Sequence, residues 1–132
     1  MSPSSWPEIA ALYDVPPDLS SCPLYSVHVD ERDTSVTLGF ETSHLPDHPD
    51  PQWAASRYNT FVFFVLFTGV EELRMAGIAA EHPDSAERVV RVGEASEAGV
   101  RWVSANSETR SISFSAAASA VVRTRVYLQG SL

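Results

Sequence analysis

A mainly β fold is predicted: about eight sequentially paired antiparallel strands, as a sandwich or a curled meander, with one short N-terminal helix. Three observations predict it. Residues 61–67 (Phe-Val-Phe-Phe-Val-Leu-Phe) are apolar at every position, a run too short and too aromatic for a helix and suited to a buried strand. Several other segments alternate apolar and polar residues at period two, as half-buried strands do. Most links between these segments are short and turn-like, which favours pairing of consecutive strands.

The elements follow in order. Residues 5–14 read as the helix, with Ser5 as N-cap, Pro7 and Glu8 in the first turn, and Ile9, Leu12 and Tyr13 as its apolar stripe; Pro16 and Pro17 end it. In residues 24–30, Tyr25, Val27 and Val29 alternate with Ser26, His28 and Asp30. Glu31, Arg32 and Asp33 form the turn, and Val36, Leu38 and Phe40 complete a hairpin. Pro46, Pro49 and Pro51 make residues 43–55 a loop. The 61–67 strand is then central, covered on both faces, with Phe64 in the core and the N-terminal helix on one side. Residues 70–78 are its neighbour across the Thr68-Gly69 turn. After a loop at 80–86 come strands at 88–92, 99–105, 110–116 and 121–129, with turns at 93–98, 106–109 and about 117–120.

At 132 residues the chain makes one domain, 1–132, able to bury roughly two thirds of its unfolded surface. No apolar run reaches the roughly 20 residues that span a bilayer, and the first residues lack the basic and apolar regions of a secretion signal. Cys22 is the single cysteine, so no internal disulfide forms and the cytoplasm is the expected location. Every basic residue is arginine, which excludes Schiff-base and P-loop lysine chemistry and, with abundant Ala, Pro and Val, fits a G+C-rich bacterial genome.

The net charge of −8 is uneven: up to Glu72, eleven carboxylates stand against two arginines, whereas from Leu73 onward seven arginines outnumber six carboxylates. This argues against nucleic-acid phosphate as a ligand and for either solubility or a basic partner. The exposed acidic candidates are Asp30, Glu31 and Asp33 at the first hairpin, Asp47 and Asp50 in the proline-rich loop, and Glu71 and Glu72 at the second hairpin. Trp53 and Tyr58 lie close to that loop in sequence and could supply an aromatic anchor.

Catalytic chemistry finds little support. His44 and His48 have the i,i+4 spacing of a zinc pair, but three prolines prevent the helix that would bring them together, so no metal is expected. Glu71 and Glu72 point to opposite faces of a strand. Cys22 sits among Asp18, Ser20 and Ser21 without the electropositive surroundings of a nucleophile, and reads as a buried thiol. Arg123, Arg125 and Tyr127 read as an exposed strand face with gatekeeping charges, the alternative being stacking or anion binding. No catalytic residue and no cofactor is expected.

One resemblance bears on function. The N-terminal helix is followed by P-P-D-L-S-S-C-P-L-Y-S-V-H-V-D from Pro16 and S-V-T-L-G-F-E from Ser35; then come Trp53, Tyr58-Asn59-Thr60 and L-F-T-G-V-E-E-L-R-M-A-G from Leu66. Over roughly residues 5–130, this pattern resembles the immunity protein 50 family of bacterial polymorphic toxin systems, common in actinobacteria; Ile78 stands where that family often has an aromatic residue. The resemblance implies a non-enzymatic cytoplasmic antidote that binds and neutralises a cognate secreted or contact-dependent toxin domain. A nuclease toxin is the further hypothesis that the acidic first half adds. The alternatives are a β-sheet interaction or structural module of another kind, and a small-molecule binder or cryptic enzyme. Neither nucleic acid nor membrane is an expected partner, and nothing in the pattern sets an oligomeric state.

Overall fold

The computed structural model describes residues 6–77, 89–94, 101–106 and 110–128. It is mainly β, with one short helix, α1 (Pro7–Ala10), and eight strands. The strands are β1 (Leu24–Asp30), β2 (Ser35–Thr42), β3 (Thr60–Thr68), β4 (Glu71–Ala76), β5 (Val89–Glu94), β6 (Arg101–Asn106), β7 (Ser111–Ala116) and β8 (Ala118–Tyr127). They form two antiparallel sheets: sheet A in the order β1-β2-β3-β8 and sheet B in the order β4-β7-β6-β5. One core of apolar side chains joins the two, with the Phe67 and Phe114 rings meeting edge to face at 5.3 Å.

The predicted fold class holds, as do most strand positions. Pairing departs from strict succession at three places: β4 and β5 stand at opposite edges of sheet B, and the other two departures are links between the sheets. Residues 70–78 are not the hydrogen-bonded neighbour of β3: β4 lies in the other sheet, and β3 pairs instead with β8. The residues near 117–120 are not a hairpin turn either, since β8 begins at Ala118 and Ala118 to Ala120 pair with Thr68 to Leu66. Both links are crossings between sheets, and they lie side by side: the Ala117 N–H donates to the Thr68 carbonyl at 2.9 Å. Sidedness forces this, because consecutive strands in different sheets can turn both apolar faces onto one core. Gly69 makes the approach possible. Its φ of +64° is left-handed, and a Cβ there would stand 2.8 Å from that of Ala117.

The core lies mainly on one face of β3. Phe61, Phe63, Val65 and Phe67 point inward and are at most 1% exposed. Phe63 stacks on Phe40, its direct partner on β2, with centroids 5.2 Å apart, and on Phe61 at 5.8 Å. Sheet B covers the Phe67 end of this row, and the N-terminal segment closes the other end. There Tyr13 meets Phe61 edge to face at 5.9 Å and Trp53 meets it at 5.8 Å, while Trp6 reaches the Phe67 end and donates its indole N–H to Ser119, the β8 partner of Phe67, at 3.1 Å. Ile9 and Tyr13 therefore cover the central strand as expected, although the α-helix has only four residues rather than ten. Trp6 occupies its N-cap position, and Ser5 lies outside the described residues. So do the loop at 80–86, the residues 95–98 and 107–109 of two predicted turns, and the outer ends of several predicted strands at Ile78, Arg88, Gly99, Val100 and Gln129.

Two residues expected inside face out. Tyr25 is 44% exposed because a bulge between Leu24 and Ser26 shifts the phase of β1: Leu24 is buried, and Val27 and Val29 resume the inward face. Phe64 is half-buried on the outer face of β3.

Candidate functional site

The acidic residues named from the sequence do come together, but in two groups. At the β1–β2 turn the Asp30 carboxylate accepts the backbone N–H of Arg32 at 3.0 Å and of Asp33 at 3.3 Å, closing the turn. The next residue, Thr34, has φ +48°, and its carbonyl accepts the Val70 N–H at 2.8 Å. That bond ties the turn to the β3–β4 crossing, so Asp30, Glu31 and Asp33 share one end of the molecule with Glu71 and Glu72. All but the partly buried Asp30 are exposed. Glu72 also has a left-handed backbone, φ +55°, where the β4–β7 register is irregular. Thr34 and Glu72 are the non-glycine residues with positive φ among those described, and both border the acidic end. Such conformations carry a cost that neighbouring structure must hold in place.

Asp47, Asp50, Trp53 and Tyr58 sit at the opposite end, beyond Thr42 and Thr60. The separation is the length of eight-residue β2, about 25 Å at ~3.3 Å per residue. Here the candidates are engaged internally. The Asp50 carboxylate accepts the Gln52 N–H at 2.9 Å, and the Asp47 carboxylate accepts the Asp14 N–H at 3.0 Å. Trp53 and Tyr58 are both half-buried and meet edge to face at 6.4 Å, with Trp53 turned toward Phe61. Neither ring projects freely as an anchor.

The two loop histidines serve this clasp. The His48 N–H donates to the Leu12 carbonyl at 2.9 Å, its ring Nε2 lies 2.6 Å from the Asp14 carboxylate, and the His44 carbonyl accepts the Tyr13 hydroxyl. The bond to Asp14, then its charge, raises the His48 pKa above the ordinary 6.5. A raised folded value means the pair stabilises fully below the unfolded pKa and loses its contribution as pH rises through the folded one. NMR titration is expected to place His48 above 6.5 and to return it toward that value in Asp14→Asn. An elevated pKa that survives Asp14→Asn would disprove the pair as its cause.

Cys22 is buried, with its thiol directed at the Asp18 carbonyl at 3.4 Å and its pKa pushed up to about 11 by burial. Such a thiol is a poor nucleophile. Among the described residues, no group of three or more His, Cys, Asp or Glu could hold a metal ion. Nor is any helix there long and apolar enough to cross a membrane.

The outer face of sheet A carries a second constellation. Gly39 of β2, Phe64 of β3 and Arg123 of β8 stand in register, and so do Glu41, Val62 and Arg125. The Phe64 ring lies on Gly39: a Cβ there would come within 2.9 Å of it. Tyr25 meets the same ring edge to face at 6.1 Å, and the Arg123 guanidinium stands 5.8 Å from its centroid. The Tyr127 hydroxyl donates to Glu41 at 2.6 Å, and the Arg125 charge acts on the nearby Tyr25 hydroxyl. Burial, first, and the bond to Glu41 push Tyr127 up to about 12, so it remains a protonated donor. These side chains leave Val62 0% exposed, which explains how β3 can be apolar on both faces. The sequence shows Arg123, Arg125 and Tyr127 as a stripe; Tyr25, Glu41 and Phe64 were missed, because a bulge and cross-strand register have no local signature.

The chain matches the family model described as Immunity protein 50 over residues 7–127. No curated protein and no solved structure matches the chain.

Proposed function

From the premise that the chain belongs to the immunity protein 50 family, we propose that it is a cytoplasmic antidote that binds and neutralises a cognate toxin domain of a polymorphic toxin system. Its role is that of a binding protein rather than an enzyme. The single observation that supports a basic toxin is the convergence of Asp30, Glu31, Asp33, Glu71 and Glu72 at one end, with Thr34 bonded to Val70 between them. A nuclease fits, since such toxins use basic side chains to hold phosphate. An acidic end of this kind steers a basic partner and raises the association rate.

Co-expression with a toxin domain encoded by a neighbouring gene, in a sensitive host, tests the reading: growth is restored if it holds, and persistent killing although this protein is soluble and folded refutes it. The acidic end has its own test. Reversing Glu31 and Asp33 to Arg is expected to slow association several-fold and flatten its salt dependence, since rim charges act chiefly on that rate. Stability should move by less than about 0.5 kcal/mol. Asp30 stays in place because its carboxylate closes the turn. An unchanged rate and salt slope would reduce the acidic end to solvated surface.

A further inference from the structure

We propose that the outer face of sheet A, centred on Phe64 with Tyr25, Arg123 and Arg125 around it, is the anchoring surface for a carboxylate-bearing patch of the partner protein. This rests on the toxin-binding reading and assigns it a second contact, distinct in chemistry and position from the acidic end.

The charge on this face runs against the rest of the chain. In a protein of net charge −8 it presents two exposed guanidinium groups. Glu41, the carboxylate in register with Arg125, is bonded to Tyr127. Among the described residues neither Arg123 nor Arg125 has a carboxylate within ion-pair distance. Carboxylates of a partner complete both, each guanidinium offering a planar fork of donors. Between them the surface is flat and aromatic. Phe64 rests on Gly39, where no side chain could stand, and leaves part of its ring open; Tyr25 stands edge-on to it and is 44% exposed.

Gatekeeping against edge-to-edge pairing would need only the arginines of edge strand β8. It would not need a bulge in β1, the other edge strand, that lifts a tyrosine out of the core and onto the ring of β3. Tyr, Phe and Arg side by side are the residue types that carry binding energy in protein interfaces, held here by ring contacts to Phe64 and by the bond from Tyr127 to Glu41. Steering at the acidic end and anchoring at this face are therefore separable: the first sets how fast the partner arrives, the second how long it stays.

The probe is the toxin domain that the wild-type protein neutralises, with its own activity disabled, and the readout is association and dissociation kinetics. Arg123→Gln, Arg125→Gln and Tyr25→Ala are each expected to weaken binding at least about tenfold through faster dissociation. Association should stay within about threefold, opposite to the effect of the Glu31 and Asp33 reversals. Arg123→Lys and Arg125→Lys keep the aliphatic stems that cover the sheet, so they remain informative if the glutamine variants unfold; they too should dissociate faster, because the planar fork is lost. Wild-type dissociation rates from folded Arg123→Gln and Arg125→Gln, or from both lysine variants, would overturn the anchoring role. A wild-type protein that binds no toxin would overturn the antidote reading itself, and this surface with it.

Discussion

Replacing Phe63 with alanine is expected to cost the fold about 3–5 kcal/mol, the range for deleting a fully buried aromatic side chain. Phe63 is 1% exposed, points into the core from an inner strand of sheet A and stacks on Phe40 and Phe61. Its removal leaves a cavity between side chains that cannot follow it, because strands on either side fix their positions. Such a loss is a large share of the roughly 5–15 kcal/mol that keeps a domain folded. Phe64→Ala, one residue on, should cost clearly less, since that ring is half-buried on the outer face. Chemical denaturation of both variants checks this. A loss below about 1 kcal/mol for Phe63→Ala, or a greater loss for Phe64→Ala, would contradict the assignment of inward and outward faces.

The second large effect is expected where the chain crosses between sheets. Gly69→Ala places a Cβ on a backbone with φ +64°, which costs a non-glycine residue about 1–2 kcal/mol. It also drives that Cβ to 2.8 Å from the Ala117 Cβ, and crowding of this kind typically adds about 1–3 kcal/mol. Because both residues sit in sheet-to-sheet links, the strain can be relieved only by parting the sheets or breaking the bond from Ala117 to Thr68. The partition is measurable. Ala117→Gly in the Gly69→Ala background should recover the crowding part and leave the backbone part. A single-variant loss below about 0.5 kcal/mol, or no coupling between the two positions, would show that the crossings have room to move apart.

The acidic end and the arginine–tyrosine face divide the molecule electrostatically. The turn carrying Asp30, Glu31 and Asp33 lies at the Ser35 end of β2, whereas Arg125 and Tyr127 stand beside Glu41 near its other end. On the proposed reading, a partner steered to one end would be oriented before it reached the other.

Much of this was legible in the sequence by itself. Strand β1 has the predicted bounds, β2 and β7 differ by one residue at one end and β3 by one at each end, because period-two alternation and turn chemistry are local properties of a few neighbouring residues. The mainly β class, the closing role of Ile9 and Tyr13, the central place of β3 and the family resemblance all rest on such local patterns. Tertiary structure alone decided the rest. Alternation says that a strand has two faces but not which strand will satisfy its backbone, so the pairing of β3 with β8 and the passage of β4 to the other sheet stayed hidden. A bulge between Leu24 and Ser26 reverses which side Tyr25 takes without altering the composition of β1. The acidic candidates, evenly promising along the chain, part into two ends because β2 and β3 run rigidly between them. In each case the deciding contact joins residues far apart in the chain, and no local window of sequence contains both partners.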